Sequence, residues 1–323
     1  FFLCYISIKI YMRILLITLT LIVLSSCKPE TPSISFVAFG DAPYHTEGYP
    51  SLESLIKKVN TTKPSLIIHT GDTHGHYTCD NATMDNIRSY MNDFKAPVLY
   101  TPGDNEWTDC KSTKVGTFEP LERLNYLRQT HFKNGKTLGA LPETVINQNK
   151  DGYPENARLI KNNIGFITLH VVGSNNNFIQ SDIKAMKEFF ARNKANLAWL
   201  NESFAELEEA DAIVVALHAD MFERIDASFL LIKSTTFKFR GNPLSPFRDI
   251  GMALGKYSSK FKKPVLLLHG DSHIHEIYQP FKKSHPYLHA IEVYGHPHLA
   301  AIEIAVRPKS KQPFQVNRVF SPY

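Results

Sequence analysis

Short apolar runs alternate with amphipathic stretches along most of this chain. Strands are predicted where the apolar runs are continuous, at 34–40, 65–70, 97–101, 212–218 and 264–269. Helices are predicted where apolar residues recur every three or four positions, at 51–60, 84–94, 118–130 and 181–208. Strands that alternate with helices of this length are typical of βαβ units with parallel strands, so the chain is predicted to have an α/β fold.

Other stretches depart from this alternation. Residues 135–157, rich in Gly, Asn and Pro, are predicted to form a loop, and residues 158–172 a hairpin that turns at Asn162-Asn163. A loop-rich insertion separates the strands at 212–218 and 264–269. The last strands, near 288–294 and 299–306, are predicted to be antiparallel. No repeat or linker divides the chain, so one domain is predicted over 34–310, followed by a C-terminal tail over 311–323.

Several of the apolar runs stop at Gly-Asp or at a histidine. The residues at these strand ends are Asp41, Asp72, Asp104, Asp271, His273 and His218. A single Gly-Asp pair would carry little information, because both are ordinary turn residues. In an open α/β sheet, however, ligands bind in the crevice outside the carboxyl ends of the strands. Carboxylates gathered there repel one another unless a cation holds them, so the pattern predicts a metal site.

The order of these motifs resembles that of the calcineurin-like metallophosphoesterases over residues 34–276. The motifs that carry the resemblance are FGDAPY, TPGDNEWTDC and HGDSH, and they are closer still to a bacterial branch of the family with the same variant motifs. The resemblance implies a single-domain, four-layer α/β/β/α sandwich with mixed sheets. It also implies one or two metal ions (Mn, Fe, Mg, Zn or Ca) and hydrolysis of a phosphate ester by a metal-activated hydroxide.

The resemblance also implies which residues hold the ions. Carried over position by position, the ligands are Asp41, Asp72, Asp104, His218, Asp271 and His273. Asp72 would bridge two ions, with Asp41 and His273 mainly on one of them. Asp104, His218 and Asp271 would hold the other.

The first motif of this chain departs from the family at its third position. Pro43 stands where the family has a His ligand, and proline cannot bind a metal. Tyr44 and His45 are possible substitutes.

The fifth motif departs as well, because Asp271 stands where the family has its first His. A shift of one step would instead pair His273 with His275. The pair Asp271/His273 is preferred, because Gly270 then directly follows the strand. A second sequence that fits this motif, Gly-His-Pro-His at 295–298, lies one strand too late and is not assigned to the site.

The third motif places Asn105 where the family has a His thought to assist catalysis. An amide cannot protonate a leaving alkoxide, but it can hydrogen-bond a phosphoryl oxygen. His74 and His76 are candidate replacements for the general acid, and both are equally open to interpretation as solvated loop histidines, while His45 is a third candidate. Two further candidates for phosphate binding, in a polar turn after a strand, are Asn175 and Asn176.

Four carboxylates would neutralise two divalent ions outright. A trivalent ion beside a divalent one would restore positive charge, and an oxygen-rich site favours hard ions such as Mn²⁺, Mg²⁺ or Ca²⁺ over Zn²⁺. A third possibility is a single ion and no hydrolysis. The alternative function is therefore a catalytically degenerate metal- or phosphate-binding surface lipoprotein on the same scaffold.

The N-terminal region has the pattern of a bacterial lipoprotein signal. Arg13 precedes an apolar run at 14–24 that is too short to span a membrane, and Leu-Ser-Ser-Cys follows it. The pattern predicts removal of residues 1–26, a lipid on Cys27 and a short linker to residue 33. The predicted location is the bacterial cell envelope, lipid-anchored and either periplasmic or at the cell surface.

Removal of the signal changes the net charge of the chain and leaves two cysteines besides Cys27. Removing residues 1–26 takes away Lys9 and Arg13 and no acid, so the formal net charge falls from +5 to +3. The remaining basic residues are dispersed, and nucleic acid is not an expected partner. The expected partners are a small-molecule phosphate ester and, through the lipid, a membrane. Cys79 and Cys110 are predicted to form a disulfide between the second and third site loops, with two free buried thiols as the alternative.

Overall fold

The computed structural model of this protein describes most of the chain beyond the predicted signal sequence. The described residues are 33–75, 78–114, 116–224, 237–241 and 243–322. Cys27 and His76 lie outside them. Residues 33–323 group as one unit, which contains every element named below. Among the described residues, no helix is both long and apolar enough to cross a membrane.

In the described part of the chain, strands form two large sheets and a small two-stranded ladder. They are β1 (Ile34–Phe39), β2 (Ile67–His69), β3 (Val98–Tyr100), β4 (Ile146–Gln148), β5 (Tyr153–Lys161), β6 (Ile164–Thr168), β7 (Ala212–Ala216), β8 (Phe222–Arg224), β9 (Phe237–Phe239), β10 (Val265–His269), β11 (Glu276–Tyr278), β12 (Leu288–Glu292), β13 (Ala301–Val306) and β14 (Phe314–Phe320). The five-stranded sheet has the order β14-β13-β1-β2-β3, and the seven-stranded sheet has the order β11-β12-β10-β7-β6-β5-β4. Strands β8 and β9 pair with each other.

Helices cover the outer faces of both sheets. They are α1 (Tyr49–Thr62), α2 (Asn81–Asn92), α3 (Pro120–His131), α4 (Ile183–Glu206) and α5 (Arg248–Phe261), with 3-10 turns at Thr46–Gly48, Thr108–Lys111 and Asn149–Asp151. Apolar residues of α1 and α2 pack on the five-stranded sheet, and those of α4 and α5 on the seven-stranded sheet. The predicted four-layer α/β/β/α sandwich is confirmed.

Strand β1 shows how the sequence produces these layers. Phe36 and Ala38 belong to the core between the two sheets, where the Phe36 ring meets Phe166 of the other sheet with centroids 5.3 Å apart. The alternate residues Val37 and Phe39 pack beneath the helices on the opposite face. Because side chains point to opposite faces at every second position, a strand buried on both faces is apolar throughout.

The edges of the sheets differ from the sequence-based prediction. Residues 135–157 contain β4 and the start of β5 instead of a continuous loop, and the insertion after residue 218 contains β8, β9 and α5. Strand β12 is parallel to β10, whereas β13 is antiparallel to β1 in the other sheet. Part of the predicted C-terminal tail forms β14, which pairs with β13. Its apolar pattern is weak because β14 is an edge strand whose residues are mostly exposed or half-buried.

Candidate metal centre

The candidate ligands lie where strands of both sheets end. Asp41, Asp72 and Asp104 follow β1, β2 and β3, while His218 and Asp271 follow β7 and β10. Ligand atoms of Asp41, Asp72 and His218 lie within 4.8 Å of one another, and so do those of Asp104, His218 and Asp271. The structure thus brings these five predicted ligands into two adjacent groups that share His218.

The glycine before each aspartate allows this close approach. A Cβ added to Gly103 would lie 2.1 Å from Asp72 Oδ1, and a Cβ added to Gly270 would lie 2.0 Å from Asp41 Oδ2. No side chain fits at either distance. The repeated Gly-Asp therefore reflects contact between neighbouring loops as well as turn formation.

His218 presents a ring nitrogen to the carboxylates. Its Nδ1 lies 2.9 Å from the carbonyl oxygen of Thr70, which can only accept, so Nδ1 carries the hydrogen. Nε2 then faces Asp104 Oδ1 at 2.8 Å and Asp72 Oδ1 at 3.4 Å. A hydrogen bond that fixes one ring nitrogen and leaves the other toward the ligands is the usual arrangement of a metal-binding histidine.

Several atoms of the cluster have no other partner. Asp41 Oδ2, Asp104 Oδ1 and His218 Nε2 are buried, and apart from the 2.8 Å approach of the last two to each other, none has a hydrogen-bond partner among the described residues. Burial raises the pKa of Asp41 to about 7 and that of Asp271 to about 6, in both cases against the opposing charge of His218. Unpaired buried acceptors are costly, and a cation would satisfy all of them at once. The donor set therefore fits the metal ions that the sequence predicts.

Tyr44 occupies the side of the cluster near Asp41. Its hydroxyl donates to Asp72 Oδ2 at 2.7 Å and lies 2.8 Å from His273 Nε2. His273 Nδ1 donates to the carbonyl oxygen of His296 at 2.9 Å, which leaves His273 Nε2 as an acceptor facing the site. Of the two substitutes that the sequence offers for the missing His, Tyr44 is the one whose hydroxyl contacts candidate ligands. His45, the other substitute, is exposed and lies outside the cluster.

The structure separates the two alternatives for the fifth motif. His275 Nδ1 lies 2.6 Å from the carbonyl oxygen of Glu292, and its ring stacks on Tyr294 with centroids 4.4 Å apart. It therefore turns away from the candidate ligands, and Asp271 and His273 are the pair at the site.

The segment 295–298, which the sequence reasoning set aside, lies beside the metal centre. The backbone N–H of His296 donates to the carbonyl oxygen of Asp41 at 2.8 Å, and its ring stacks on Tyr44 with centroids 5.2 Å apart. The segment follows β12, which is one strand later in the sequence but the immediate neighbour of β10 in the sheet. Only the strand order reveals this proximity.

Asn105 and His74 have positions other than those predicted. The Asn105 side-chain amide donates to Asp72 Oδ2 at 2.8 Å and to the His74 carbonyl oxygen at 2.9 Å. Both of its hydrogens are therefore used within the loops, and Asn105 orients Asp72 instead of reaching a phosphoryl oxygen. His74 is fully buried, which differs from a solvated loop histidine and gives its ring no open path to a leaving group.

Residues 34–275 match the family model described as calcineurin-like phosphoesterase. The chain belongs to this family. A solved dimetal phosphatase from Danio rerio is 10% identical to it, with a TM-score of 0.50 over 90% of this chain and 100% of that one. The solved structure of PhoD is 12% identical, with a TM-score of 0.52 over 82% of this chain and 57% of that one. At these identities the likeness shows the fold. No curated protein matches the chain.

Glu106 joins the second and third site loops of this phosphoesterase. Its Oε1 accepts from the backbone N–H and the hydroxyl of Thr73 at 2.6 and 2.7 Å. Its Oε2 accepts from the backbone N–H of Gly103 at 2.7 Å and of Asp72 at 3.2 Å. The carboxylate thus fixes the backbone on which Asp72 and Asp104 are mounted. The sequence contained Glu106 within the third motif but gave no sign of its partners.

The residues of the polar turn after β6 have different environments, since some are buried and others line an open cleft. Asn176 is buried, and its Oδ1 accepts from Arg192 Nη1 at 2.6 Å, so it supports the loop and does not reach a substrate. Ser174 donates to Asp104 Oδ2 at 2.9 Å. Asn175 lines an open cleft of about 380 Å³ beside Asp271, together with Arg240.

Arg240 is a residue of the cleft that the sequence did not predict. Its guanidinium bonds the carboxylate and the backbone carbonyl oxygen of Asp220. The backbone N–H of Asp220 in turn donates to Asp271 Oδ2 at 3.0 Å. Arg240 is therefore held close to the candidate metal centre, although neither it nor the strand β9 that precedes it carries a recognisable motif.

The predicted disulfide between Cys79 and Cys110 is present. Cys79 lies in the loop between β2 and α2, and Cys110 in the 3-10 turn after β3. The bond therefore joins the loops that carry Asp72 and Asp104.

Proposed function

We propose that this phosphoesterase hydrolyses a small phosphate ester with two metal ions held at the strand ends. One observation carries the proposal: two groups of ligand atoms, buried except for the half-buried Asp271, lie within 4.8 Å in each group and share His218. Bound there, metal ions would activate a water molecule for attack on phosphorus and offset the charge of the phosphoryl group.

The residues of the chain divide between two ion positions. Asp41, Asp72, Tyr44 and His273 would hold one ion, and Asp104, Asp271 and His218 the other, with Asp72 close enough to His218 to bridge both. Most of these donors are oxygen atoms, which favours hard ions such as Mn²⁺, Mg²⁺ or Fe³⁺. Burial and the neighbouring Asp72 raise the pKa of Tyr44, so its hydroxyl would release its proton to solvent only with a strongly charged ion bound beside it.

The cleft beside Asp271 is the place we assign to the alcohol portion of the ester. Arg240 stands in it as a fixed donor, and Asn175 and Ser174 add polar groups. The short Leu-Ser-Ser-Cys sequence and the disulfide support a lipid-anchored protein of the bacterial envelope, where thiols are oxidised.

The proposal is tested by counting metal ions and turnover on the same sample. Protein that starts at Lys28 contains the whole described unit, and it should be purified without chelator and measured by elemental mass spectrometry. p-Nitrophenyl phosphate and its bis-ester are then assayed with added Mn²⁺, Fe, Zn²⁺ or Mg²⁺. We expect about two ions per chain and metal-dependent turnover. One ion or none, with no turnover under any metal, would instead favour the binding lipoprotein.

Metal binding should weaken as the pH falls. Folded Asp41 and Asp271 have pKa values of about 7 and 6, above the value of about 3.9 for an unfolded Asp. Without metal, these two carboxyls hold more protons in the folded protein than in the unfolded chain between about pH 4 and 7, so their contribution to stability falls as the pH rises. Metal ions must displace those protons. The gain in Tm on metal loading, relative to chelator-treated protein, should therefore be larger at pH 8 than at pH 5. Equal gains at the two pH values would contradict the assignment of these ligands.

A further inference from the structure

The parallel strands end at the metal centre, so the loops that precede them lie at the opposite end of the sandwich. We call this end the basal face, and it consists of residues 61–66, 93–97, 139–145, 161–163, 207–211, 262–264, 279–287 and 307–313. Strand β1 has 6 residues. At about 3.3 Å per residue, the basal face lies roughly 20 Å from the metal centre.

Positive charge is concentrated on the basal face. Its segments contain 10 Lys and Arg residues and 5 Asp and Glu residues. The surplus equals the formal net charge of the entire chain, which is +5. Without Lys9 and Arg13 of the predicted signal the formal charge is +3, so the rest of the processed chain carries about −2 and the basal face is the part that attracts anionic surfaces.

A cleft opens at the edge of the basal face, between the outer strands β11 and β14 of the two sheets. Its volume is about 810 Å³. Lys282 and Lys311 lie in it, and none of the described residues that line it is acidic. Its walls include Ile277, which is 56% exposed, and Phe314. Cationic groups beside apolar walls match an anionic headgroup attached to an acyl chain.

We propose that the basal face is a docking surface for a membrane of anionic phospholipids, with a lipid headgroup entering the cleft between β11 and β14. The described chain enters the domain on this same face, because the Ser33 N–H donates to the Val306 carbonyl oxygen at 2.8 Å, next to Arg307. A lipid on Cys27 would be joined to Ser33 by a linker that reaches at most about 20 Å. The anchor that the sequence predicts would therefore hold the basal face near the bilayer.

This orientation has a consequence for the substrate. A basal face on the bilayer directs the metal centre away from the lipid surface. The phosphate ester would then arrive from solution, and headgroups of the same bilayer would not reach the ligands. The docking surface goes beyond the proposed hydrolysis and does not depend on it.

The test uses protein that starts at Lys28, so that no lipid anchor contributes, and measures its flotation with vesicles. We expect it to bind vesicles that contain phosphatidylglycerol and not to bind vesicles of pure phosphatidylcholine. The bound protein should dissociate from the anionic vesicles as salt is added. Reversing Lys282→Glu, Lys309→Glu and Lys311→Glu together should lower the vesicle-bound fraction about tenfold or more. These three side chains are exposed, so folding should be unaffected.

A matched variant separates the surface from net charge. Lys184→Glu, Lys187→Glu and Lys194→Glu change the net charge equally, on the exposed side of α4. This variant should bind as the unaltered protein does. Equal losses in both variants, equal binding to phosphatidylcholine, or no binding to anionic vesicles at low salt would each overturn the docking surface. Phosphatase turnover on a soluble ester, measured in parallel, reports separately on the proposed function.

Discussion

Replacing Asp72 by Ala should abolish phosphatase activity and reduce the number of bound metal ions from about two to one or none. Asp72 accepts from the Tyr44 hydroxyl and from both the backbone and the side chain of Asn105. It also lies 3.4 Å from Nε2 of His218, the residue that the two ligand groups share. Its loss removes a ligand from one ion position and the link between the two.

The expected loss in kcat/KM is about 10³-fold or more, which corresponds to roughly 4 kcal/mol of transition-state stabilisation. Steady-state kinetics and elemental mass spectrometry measure the two effects. Asp93→Ala, on an exposed residue at the end of α2, is a matched control and should leave both unchanged. Full activity in the Asp72→Ala protein would exclude this metal centre as the catalytic site.

Replacing Glu106 by Ala should destabilise the protein by about 3–5 kcal/mol, although Glu106 is not a predicted ligand. The substitution leaves the backbone N–H groups of Asp72, Thr73 and Gly103 without their acceptor in a buried region. Each unsatisfied group costs about 1–3 kcal/mol. The loops that carry Asp72 and Asp104 would also lose their common support, so metal affinity should fall together with stability.

Urea denaturation of the metal-free protein measures the stability effect without the contribution of bound ions. Glu106→Gln keeps the size and one acceptor oxygen, and it should cost less than the Ala variant. Glu209→Ala, on an exposed turn after α4, should change the free energy of unfolding by no more than about 0.5 kcal/mol. A cost below about 1 kcal/mol for Glu106→Ala would show that water can replace the carboxylate in these loops.

The layered fold was predictable because buried strands and helices have clear apolar patterns in the sequence. Val37 and Phe39 on one face of β1 and Phe36 and Ala38 on the other make a continuous apolar run, and α4 repeats its apolar residues with helical spacing. Strand β14 escaped prediction because an edge strand buries little. The placement of β12 and β13 in different sheets depends on strand order, which no local pattern contains.

The candidate site was predictable where a residue type and a strand end coincide. Asp41 and His218 have that signature. His296 does not, because its proximity to Tyr44 comes from the neighbouring position of β12 and β10 in the sheet. Arg240 reaches the cleft from the insertion, which has no pattern of its own. The sequence shows Asn105 in the third motif, but only the structure shows that its side-chain amide hydrogen-bonds Asp72.

The disulfide lies next to Asn105, in the loops that carry Asp72 and Asp104. Sγ of Cys79 and Sγ of Cys110 approach the Asn105 carbonyl oxygen at 3.4 and 3.3 Å. We therefore expect reduction to loosen Asn105 and its hold on Asp72, lowering turnover before the fold is lost. If the chain is exported to the envelope as proposed, it would be a poor catalyst in the reducing cytoplasm until oxidation forms the bond. Because the bond would not yet have formed there, phosphate esters of the cytoplasm would escape hydrolysis, and a kinetic assay across a series of thiol buffers measures this latency.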